Sequence, residues 1–467
     1  MTVTIDQLLS DPIQHYPAAT VACFDATRGE LPRRQLDDRT NTRFLERLSS
    51  LGVPAVLIAA STGHGHVRTL DELRHWLWVS TKAKLRRTMP MALVRPEDGV
   101  DANIRLMRDL REWGYPVAFV RPGTNLARHA DDQAVVENMR PIVNAAAEVG
   151  LAIGIYSIPD VSGVRMSPEA AAALAKGPGG ERIVAVKVTE AVYESSTLRF
   201  LEHPELRHLK IVQGWDPHLA RALQDGPSYD AQGRQRCGVT SGPMSFAVFQ
   251  YLHLLEAAAR EDWDEVAQSQ LAVTALFQAM QDDPTKFADL QRAKRIMGLG
   301  EPLTGAVSPV QVERVLHTLA EINRAADRSR LARSLDLLGD GPYHDRLAAL
   351  AAADDYTTVA TLRERVREFI AERDWQQYHS PKNLSMGLAV EAAELMEHFQ
   401  WITTEASRRI REQPGEWQAV REEVADVLCY GLAIANELGI DVTAALHDKL
   451  IQNASKYPAE EFRGKSG

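Results

Sequence analysis

The 467-residue chain is 45% hydrophobic and 25% charged, and it carries a formal net charge of −10. That composition is ordinary for a globular protein of two or three domains. The negative charge disfavours a general nucleic-acid binder, which usually presents a basic face. The three cysteines have no CxxC or zinc-binding spacing, the N-terminus lacks a signal-peptide pattern, and the longest apolar runs are too short to span a bilayer. We therefore expect a cytoplasmic protein with no disulfide framework and no membrane or nucleic-acid partner.

Eight short apolar runs alternate with longer amphipathic segments between residues 19 and 241. The runs are ATVACF, PAVLIAA, PMALV, PVAFV, AIGIY, IVAVKV, LKIVQG and CGVTS, which begin at Ala19, Pro54, Pro90, Pro116, Ala152, Ile183, Leu209 and Cys237. Continuous apolar strands suit a parallel sheet that is covered on both faces. Eight such units predict an α/β fold, a (β/α)8 TIM barrel, although the segment DGPSYDAQGRQR before the last run reads as a loop.

The rest of the chain is predicted to be helical. Residues 245–338 have the pattern of helices appended to the barrel, and the sequence GDGP from Gly339 interrupts that pattern. A second helical region follows, which contains no convincing strand. We predict a barrel with trailing helices at 1–338, a linker at 339–355 and an all-α helical-bundle domain at 356–467.

Polar residues stand where several predicted barrel strands end, and barrels carry their chemistry at that end. Lys187 lies near the end of the sixth run, Tyr156 ends the fifth, and Ser61 and Thr62 follow the second. Burial should lower the pKa of the Lys187 amine, whose neutral form attacks a carbonyl, and a tyrosine hydroxyl can shuttle the protons that are released. Hydroxyl and backbone donors of Ser61 and Thr62 can hold a carboxylate. The alternative is that Lys187 points to solvent and Tyr156 belongs to the core.

Residues 15–325 resemble the dihydrodipicolinate synthase and N-acetylneuraminate lyase family. The shared elements are STG at Ser61–Gly63, Y-x-x-P at Tyr156–Pro159, VK at Val186 and Lys187, and QGWD at Gln213–Asp216. The resemblance implies a Schiff-base lyase or aldolase acting on a 2-keto acid such as pyruvate, with a covalent imine on Lys187 and no cofactor. It also implies that Tyr156 shuttles protons and that Ser61 and Thr62 contact the substrate carboxylate.

Three positions depart from that family's pattern. His64 stands where the family's GTTGE turn has an acid, VRPGTN at 120–125 replaces the synthase's tyrosine pair, and Val161 replaces an arginine. The second substrate is therefore left open. As an alternative use of the same loop, His64 and His66 could bind a metal at the barrel mouth.

Two acidic pairs lie near the C-terminus. Glu391 and Glu394 occur in VEAAELMEHFQW, and Glu423 and Asp426 occur in REEVADVLCY. Both stretches are predicted helices, so each i, i+3 pair shares one helix face. Four converging carboxylates repel one another unless a cation lies among them, and their oxygen ligands suit Mg²⁺, which binds phosphates. The alternative is two solvated acidic faces.

Residues 356–462 closely resemble the all-α nucleotide pyrophosphohydrolases related to MazG, most of all the dCTP pyrophosphatase branch. The shared motifs are E-x-x-E at 391–394, E-x-x-D at 423–426 and K-x-x-x-N-x-x-x-Y-P at 449–458. The resemblance implies that the four carboxylates hold Mg²⁺, and Glu394 is our candidate for activating water. The residues it implies for binding a nucleoside triphosphate are Lys449 and Asn453 at the phosphates, Trp375, Trp401 and Tyr430 around the base, His379 and Asn383 at the helix turn beside the base, and Tyr457 as a further substrate-binding residue.

Each of these residues also has a plainer interpretation. The two tryptophans could be core residues, Lys449 could be solvated, and Tyr457 could merely end a helix. The overall prediction is a bifunctional homodimer or homotetramer that hydrolyses a dCTP-like nucleotide and acts on a keto acid. Two alternatives remain: the barrel could be a scaffold or metabolite sensor, or the C-terminal domain could bind nucleotides without turnover.

Overall fold

The computed structural model describes residues 3–28, 35–245, 247–280, 294, 296–300, 312, 314–318 and 357–464. The chain divides into two compact units, Met1–Ala351 and Ala352–Gly467. The predicted linker at 339–355 and much of the trailing helical segment lie outside the described residues, so the predicted domain boundaries stay predictions.

The first unit is a closed barrel of eight parallel strands, which confirms the predicted fold class. The strands are β1 Ala19–Ala22, β2 Thr27–Arg28, β3 Gln35–Leu36, β4 Ala55–Ile58, β5 Met89–Val94, β6 Val117–Val120, β7 Ala152–Ser157, β8 Ile183–Val188, β9 Lys210–Gln213 and β10 Cys237–Ser241. The barrel runs from β1 through β4 to β10 and closes by pairing β10 with β1. All eight apolar runs form barrel strands. The short antiparallel pair β2–β3 was not predicted, because two residues a strand leave no pattern.

Helices connect most of the barrel strands and continue after the last one. They are α1 Ile5–Ser10, α2 Pro12–His15, α3 Asp38–Ser50, α4 Leu70–Ser80, α5 Val100–Glu112, α6 Asp132–Val149, α7 Pro159–Ser162, α8 Pro168–Lys176, α9 Thr197–Glu202, α10 Leu219–Asp225, α11 Val248–Ala259 and α12 Trp263–Met280. Helix α10 and a 3₁₀ turn at Gly226–Tyr229 precede β10, so the segment that we expected to be a loop is irregular only after that turn. The described parts of α11 and α12 fit the predicted appended helices.

Local sequence explains where several of these elements begin and how the barrel fills. Thr69 and Glu72 form a capping box that starts α4. The barrel interior is packed with apolar side chains from alternate positions of the strands, which is why it is a core and not a pore. Gly154 on β7 makes room for that packing, since a Cβ there would lie 2.3 Å from the ring of Phe119.

The second unit is all-α and has little core of its own. Its helices are α13 Val359–Glu372, α14 Pro381–Glu397, α15 Thr404–Arg408, α16 Pro414–Glu437, α17 Val442–Lys456 and α18 Ala459–Phe462. In residues 357–464 the buried residues are few: Leu384, Ile410, Val420, Ala433 and Ala435. Helix α17 buries no residue, although Leu446, Leu450 and Ile451 lie on it and are more than half exposed.

Within the described ranges, no single helix combines the length and apolar character needed to cross a bilayer. One pair, α16 with α17, reaches that length and composition only when taken together across a 105° bend. The three cysteines are free thiols; Cys23 and Cys237 are buried and Cys429 is exposed.

Candidate functional site

The predicted lysine and tyrosine meet inside the barrel. Tyr156 on β7 and Lys187 on β8 are register partners, and each side chain is only 3% exposed. The Nζ atom of Lys187 lies 4.2 Å from the centre of the Tyr156 ring. Lys187 therefore points into the barrel and not to solvent.

The surroundings of Lys187 favour its neutral form near physiological pH. Burial lowers the pKa of the amine from 10.5 to about 7, and the carboxylate of Asp216 opposes part of that shift. The Tyr156 hydroxyl forms a 3.0 Å hydrogen bond with the Thr189 hydroxyl, and burial raises the pKa of Tyr156. A neutral amine beside a protonated phenol has the components for forming an imine with a carbonyl compound.

Asp216 is a buried acid of the QGWD motif that was not predicted as a site residue. It follows β9, and burial raises its pKa to about 6. Ser241 donates a 2.5 Å hydrogen bond to its Oδ1 atom, and the hydroxyl of Tyr251 donates to the same atom. A charged residue two positions after an apolar run was the available signal for it, but neither hydroxyl partner could be assigned from the sequence.

Ser61 and Thr62 lie in a buried 3₁₀ turn directly after β4. The turn follows Ala59, whose φ of 63° is unusual for a residue with a side chain. Thr62 packs against Gly242 at the end of β10, where a Cβ would lie 2.9 Å from the threonine. The Oγ atom of Ser61 is buried and has no hydrogen-bond partner in the described part of the chain. It is a donor that a ligand at the barrel mouth could satisfy.

His64 and His66 lie side by side in the same loop, with ring centroids 5.7 Å apart. Burial, and then the positive charges of His64 and Arg121, lower the pKa of His66 to about 4. Among the residues that the structure describes, no further ligand joins the pair in a group of three. The structure therefore gives no support to a metal site at these histidines.

The second unit brings three of the four predicted acids together. Single carboxylate oxygens of Glu391, Glu394 and Glu423, from α14 and α16, all lie within 4.8 Å of one another. Partial burial raises the pKa of Glu391, and repulsion from Glu394, Asp426 and Glu423 raises it further.

The donor set fits a hard divalent cation. The Oε2 atom of Glu423 is buried without a hydrogen-bond partner in the described structure, which is costly for a carboxylate that binds nothing. Mg²⁺ prefers oxygen ligands, and here two facing helices supply them. Asp426 lies one helical turn after Glu423 and acts on Glu391 through its charge.

Gly387 allows the two acidic helices to approach closely. A Cβ at this position would lie 2.3 Å from the ring of Tyr430 on α16, so the ring packs directly on the backbone of α14. Tyr430 is thereby placed between the two helices, four residues beyond Asp426 on the same helix.

Only some of the predicted base-binding residues lie close to one another. The ring of Trp375 contacts that of His379 edge-on at 6.3 Å. The Asn383 side chain donates to the carbonyl of Tyr378 and so fixes the start of α14. Trp401, in contrast, is 87% exposed and is not a core residue. The interpretation of Trp375 as plain core also fails, since 43% of it is exposed.

The predicted phosphate-binding residues lie on α17, a helix with little packing against the other helices of its unit. Lys449 is exposed and Asn453 is half-buried on α17. Within residues 357–464, α16 packs along α13 and α14, whereas α17 has no extended packing against any of the three. Tyr457 ends α17, and its ring contacts Phe462 at 5.4 Å. One chain therefore does not place these residues against the acidic cluster.

The two units define a protein that combines a TIM barrel containing a buried lysine with an all-α unit containing facing carboxylates. The sequence model of the MazG-like family matches residues 387–466. Rat (Rattus norvegicus) dCTP pyrophosphatase 1 is 38% identical over 129 residues, which are 27% of this chain and 76% of that protein. Through its C-terminal unit, the chain belongs to the MazG-like family.

The barrel is similar in fold to solved structures of the dihydrodipicolinate synthase family. The synthase from Aquifex aeolicus aligns with a TM-score of 0.54 and 18% identity over 66% of this chain and 98% of its own. A member of the family from Escherichia coli K12, solved in complex with pyruvate, aligns with a TM-score of 0.56 and 16% identity over 66% and 99%. At such identities the match establishes the fold alone, and it confirms the resemblance at that level.

Proposed function

We propose that the C-terminal unit hydrolyses a nucleoside triphosphate to the monophosphate and pyrophosphate. The observation that carries this proposal is the cluster of Glu391, Glu394 and Glu423 with its unpartnered buried oxygen. Membership of the MazG-like family and similarity to a dCTP pyrophosphatase support it. A dCTP-like substrate and a cytoplasmic location are parts of the same proposal.

The carboxylates have two roles in this reaction, metal binding and activation of water. Glu391, Glu423 and Asp426 would hold Mg²⁺, whose charge, when it is bound, offsets that of the triphosphate. Glu394 is the most exposed of the three clustered acids, and we assign it the orientation and deprotonation of the attacking water. Water then adds to the α-phosphorus, and the bond to the bridging oxygen breaks to release pyrophosphate.

A second copy of the chain is part of the proposal. Helix α17 carries exposed Leu446, Leu450 and Ile451 together with Lys449 and Asn453. Burying such an apolar face between copies gives the helix the packing that it lacks within one chain. It also offers a way for the phosphate-binding residues of one copy to reach the carboxylates of another. A homodimer or homotetramer follows.

The test is pyrophosphate release over a panel of the common ribo- and deoxyribonucleoside triphosphates with Mg²⁺. We expect turnover of at least one nucleotide, and a loss of about 100-fold or more in Glu394→Gln. Glu397→Gln, an exposed acid on the same helix, is the matched control and should keep full activity. Equal inactivity of wild type and Glu394→Gln over the whole panel would refute turnover and leave a nucleotide-binding role.

For the barrel we propose Schiff-base chemistry on a 2-keto acid. The buried Lys187 amine, with its lowered pKa and its contact with Tyr156, favours this function specifically. The neutral amine adds to the keto carbon, and loss of water then forms the C=N bond. Tyr156 passes the protons between nitrogen and the departing oxygen. The unpartnered Ser61 hydroxyl, together with Thr62, would bind the carboxylate.

Borohydride trapping with pyruvate and other 2-keto acids tests this chemistry, with the adduct located by peptide mass spectrometry. Lys210 is an internal control, because burial lowers the pKa of its amine to about 8 while it lies at the other end of the strands. We expect an adduct on Lys187 and none on Lys210. No adduct on Lys187 across a broad panel would favour a scaffold or metabolite-sensing barrel instead.

A further inference from the structure

We propose that Tyr251, on the first helix after the barrel, is a positioning residue of the lysine site that acts through Asp216. It holds the Asp216 carboxylate in its ionised form and so sets the charge of Lys187. The inference deepens the proposed Schiff-base function of the barrel and rests on it.

The geometry joins the appended helices to the end of β9. Tyr251 lies on α11 and is 1% exposed, and its hydroxyl donates to Oδ1 of Asp216. Gln270 on α12 donates a 2.9 Å hydrogen bond to the backbone carbonyl of Asp216 and accepts one from the amide of Ala220. The loop that carries the carboxylate is thus held by two helices outside the barrel. Of these contacts from α11 and α12, the one from Tyr251 reaches the carboxylate itself.

A buried carboxylate stays ionised only when donors compensate for the lost water. In the described part of the chain, the side-chain donors to the fully buried Asp216 carboxylate are the hydroxyls of Ser241 and Tyr251, and a backbone hydrogen bond adds to them. Removing one of them should raise its pKa from about 6 by about one unit, because hydrogen bonds to charged groups are among the stronger ones. Near neutral pH, Asp216 would then be protonated in a large part of the molecules.

The consequence for Lys187 has a definite sign. In the described part of the chain, Asp216 is the charged group whose field acts on Lys187, and it raises the amine's pKa. Arg121 and Asp160 act instead on Tyr156, in opposite directions. If Asp216 loses its charge, the pKa of Lys187 falls further and the neutral amine dominates at a lower pH. Tyr251 therefore determines where on the pH scale the nucleophile becomes available.

The experiment follows the ¹³Cε chemical shift of Lys187 against pH in the full-length protein labelled with ¹³C-lysine. The signal is assigned by its absence in Lys187→Met. We expect Tyr251→Phe to lower the apparent pKa of Lys187 by about 0.5–1 unit. Tyr193→Phe is the matched control, since that buried tyrosine donates in the same way to Asp225 at 2.9 Å. It should leave the titration of Lys187 unchanged.

A double substitution separates action through Asp216 from a general effect on the fold. Asp216→Asn should lower the apparent pKa of Lys187 as well, and Tyr251→Phe added to it should give no further shift. A shift of equal size in both backgrounds, or no shift beyond that of the control, would overturn the proposal. If Tyr251→Phe fails to fold, Ser241→Ala removes the other donor to the same oxygen and is expected to shift the titration in the same direction.

The titration of these variants tests the role of Tyr251 independently of the proposed Schiff-base function. The titration needs no substrate, so it decides the role of Tyr251 even if wild type forms no borohydride adduct. If wild type does form an adduct, the acidic limb of its pH–rate profile should move to lower pH in Tyr251→Phe by the same amount as the titration. A displaced titration with an unmoved pH–rate limb would show that Asp216 does not control the reacting amine.

Discussion

The two candidate sites solve opposite electrostatic problems. Lys187 is buried among apolar strands, and loss of water shifts its pKa downward. The clustered acids lie on partly exposed helices, where crowding by like charges adds to partial burial in raising the pKa of Glu391. At the first site the cost of burial falls when the Lys187 amine becomes neutral. At the second, the repulsion among the carboxylates would fall when a cation binds.

The two sites also differ in how completely one chain builds them. The residues around Lys187 come from neighbouring strands of a closed barrel and contact one another. The predicted nucleotide-binding residues are distributed over helices of which α17 has no extended packing within its described unit. A closed sheet fixes its own neighbours, whereas a small helical unit buries a limited core, which is why the proposed function includes a second copy.

The largest expected effect concerns the self-contained barrel site. Tyr156→Phe should slow adduct formation on Lys187 by about 10²–10⁴-fold, because the proton shuttle is lost while the amine remains. Rapid-quench borohydride trapping measures the rate. Tyr115→Phe removes another buried tyrosine hydroxyl, one that donates to the carbonyl of Leu77, and should leave the rate unchanged. Equal rates in both variants would remove Tyr156 from the mechanism.

The next effect tests whether the helical site needs a second copy. Leu450→Asp should dissociate the oligomer and reduce nucleotide hydrolysis by about 100-fold, since a charge cannot be buried in an apolar contact. Light scattering gives the mass, and pyrophosphate release gives the rate. Leu271→Asp changes a 64%-exposed leucine of the first unit and serves as the control. A fully active monomer would show that one chain completes the site.

The third effect is a pH dependence of stability. Between about pH 7 and 10.5 the unfolded chain keeps a proton on Lys187 that the folded chain has lost, so the burial cost declines as pH rises. Lys187→Met removes that cost. Its advantage over wild type should be greatest at pH 7 and below, and should then shrink by up to ~1.4 kcal/mol per pH unit.

Urea unfolding of the barrel can be followed by labelling the buried thiols of Cys23 and Cys237. Lys84→Met, at an exposed lysine of the first unit, is the matched control for removing an amine. A constant advantage of Lys187→Met across the range would mean that the amine is not desolvated as described.

The smallest effect distinguishes cation binding from screening at the acidic cluster. Millimolar Mg²⁺ should stabilise α14 and α16 by about 1 kcal/mol and slow their hydrogen exchange accordingly. Glu423→Gln should abolish the slowing, and Glu397→Gln should preserve it. If sodium chloride of equal ionic strength slowed exchange as much, the carboxylates would be a solvated face.

The sequence predicted most of the barrel because its physical signals are local. Continuous apolar runs marked all eight strands, and the polar residues at their C-terminal ends were the candidates for the barrel mouth. The meeting of Lys187 with Tyr156 followed from strand order. The role of Tyr251 could not be predicted, since its hydrogen bond to Asp216 spans 35 residues and depends on how α11 folds back.

In the helical unit, the i, i+3 spacing predicted which acids share a face, and three of them do converge. The surroundings of Trp401 and of α17 could not be predicted from the sequence, for a different reason. Hydrophobic periodicity shows that a helix has an apolar face, but it does not show what covers that face.

One glycine gives the acidic helices a property that can be tuned. Because residue 387 has no side chain, the Tyr430 ring packs directly on the backbone of α14, and a side chain at this position would have to displace the ring or the helix. Such a displacement would change the distance between the carboxylates of the two helices, and in the proposed cation site ions of different radius would need different distances: about 2.0–2.1 Å from metal to oxygen for Mg²⁺ and about 2.3–2.6 Å for Ca²⁺. Gly387→Ala would act as a one-methyl spacer, widening the cluster and moving its preference toward larger ions.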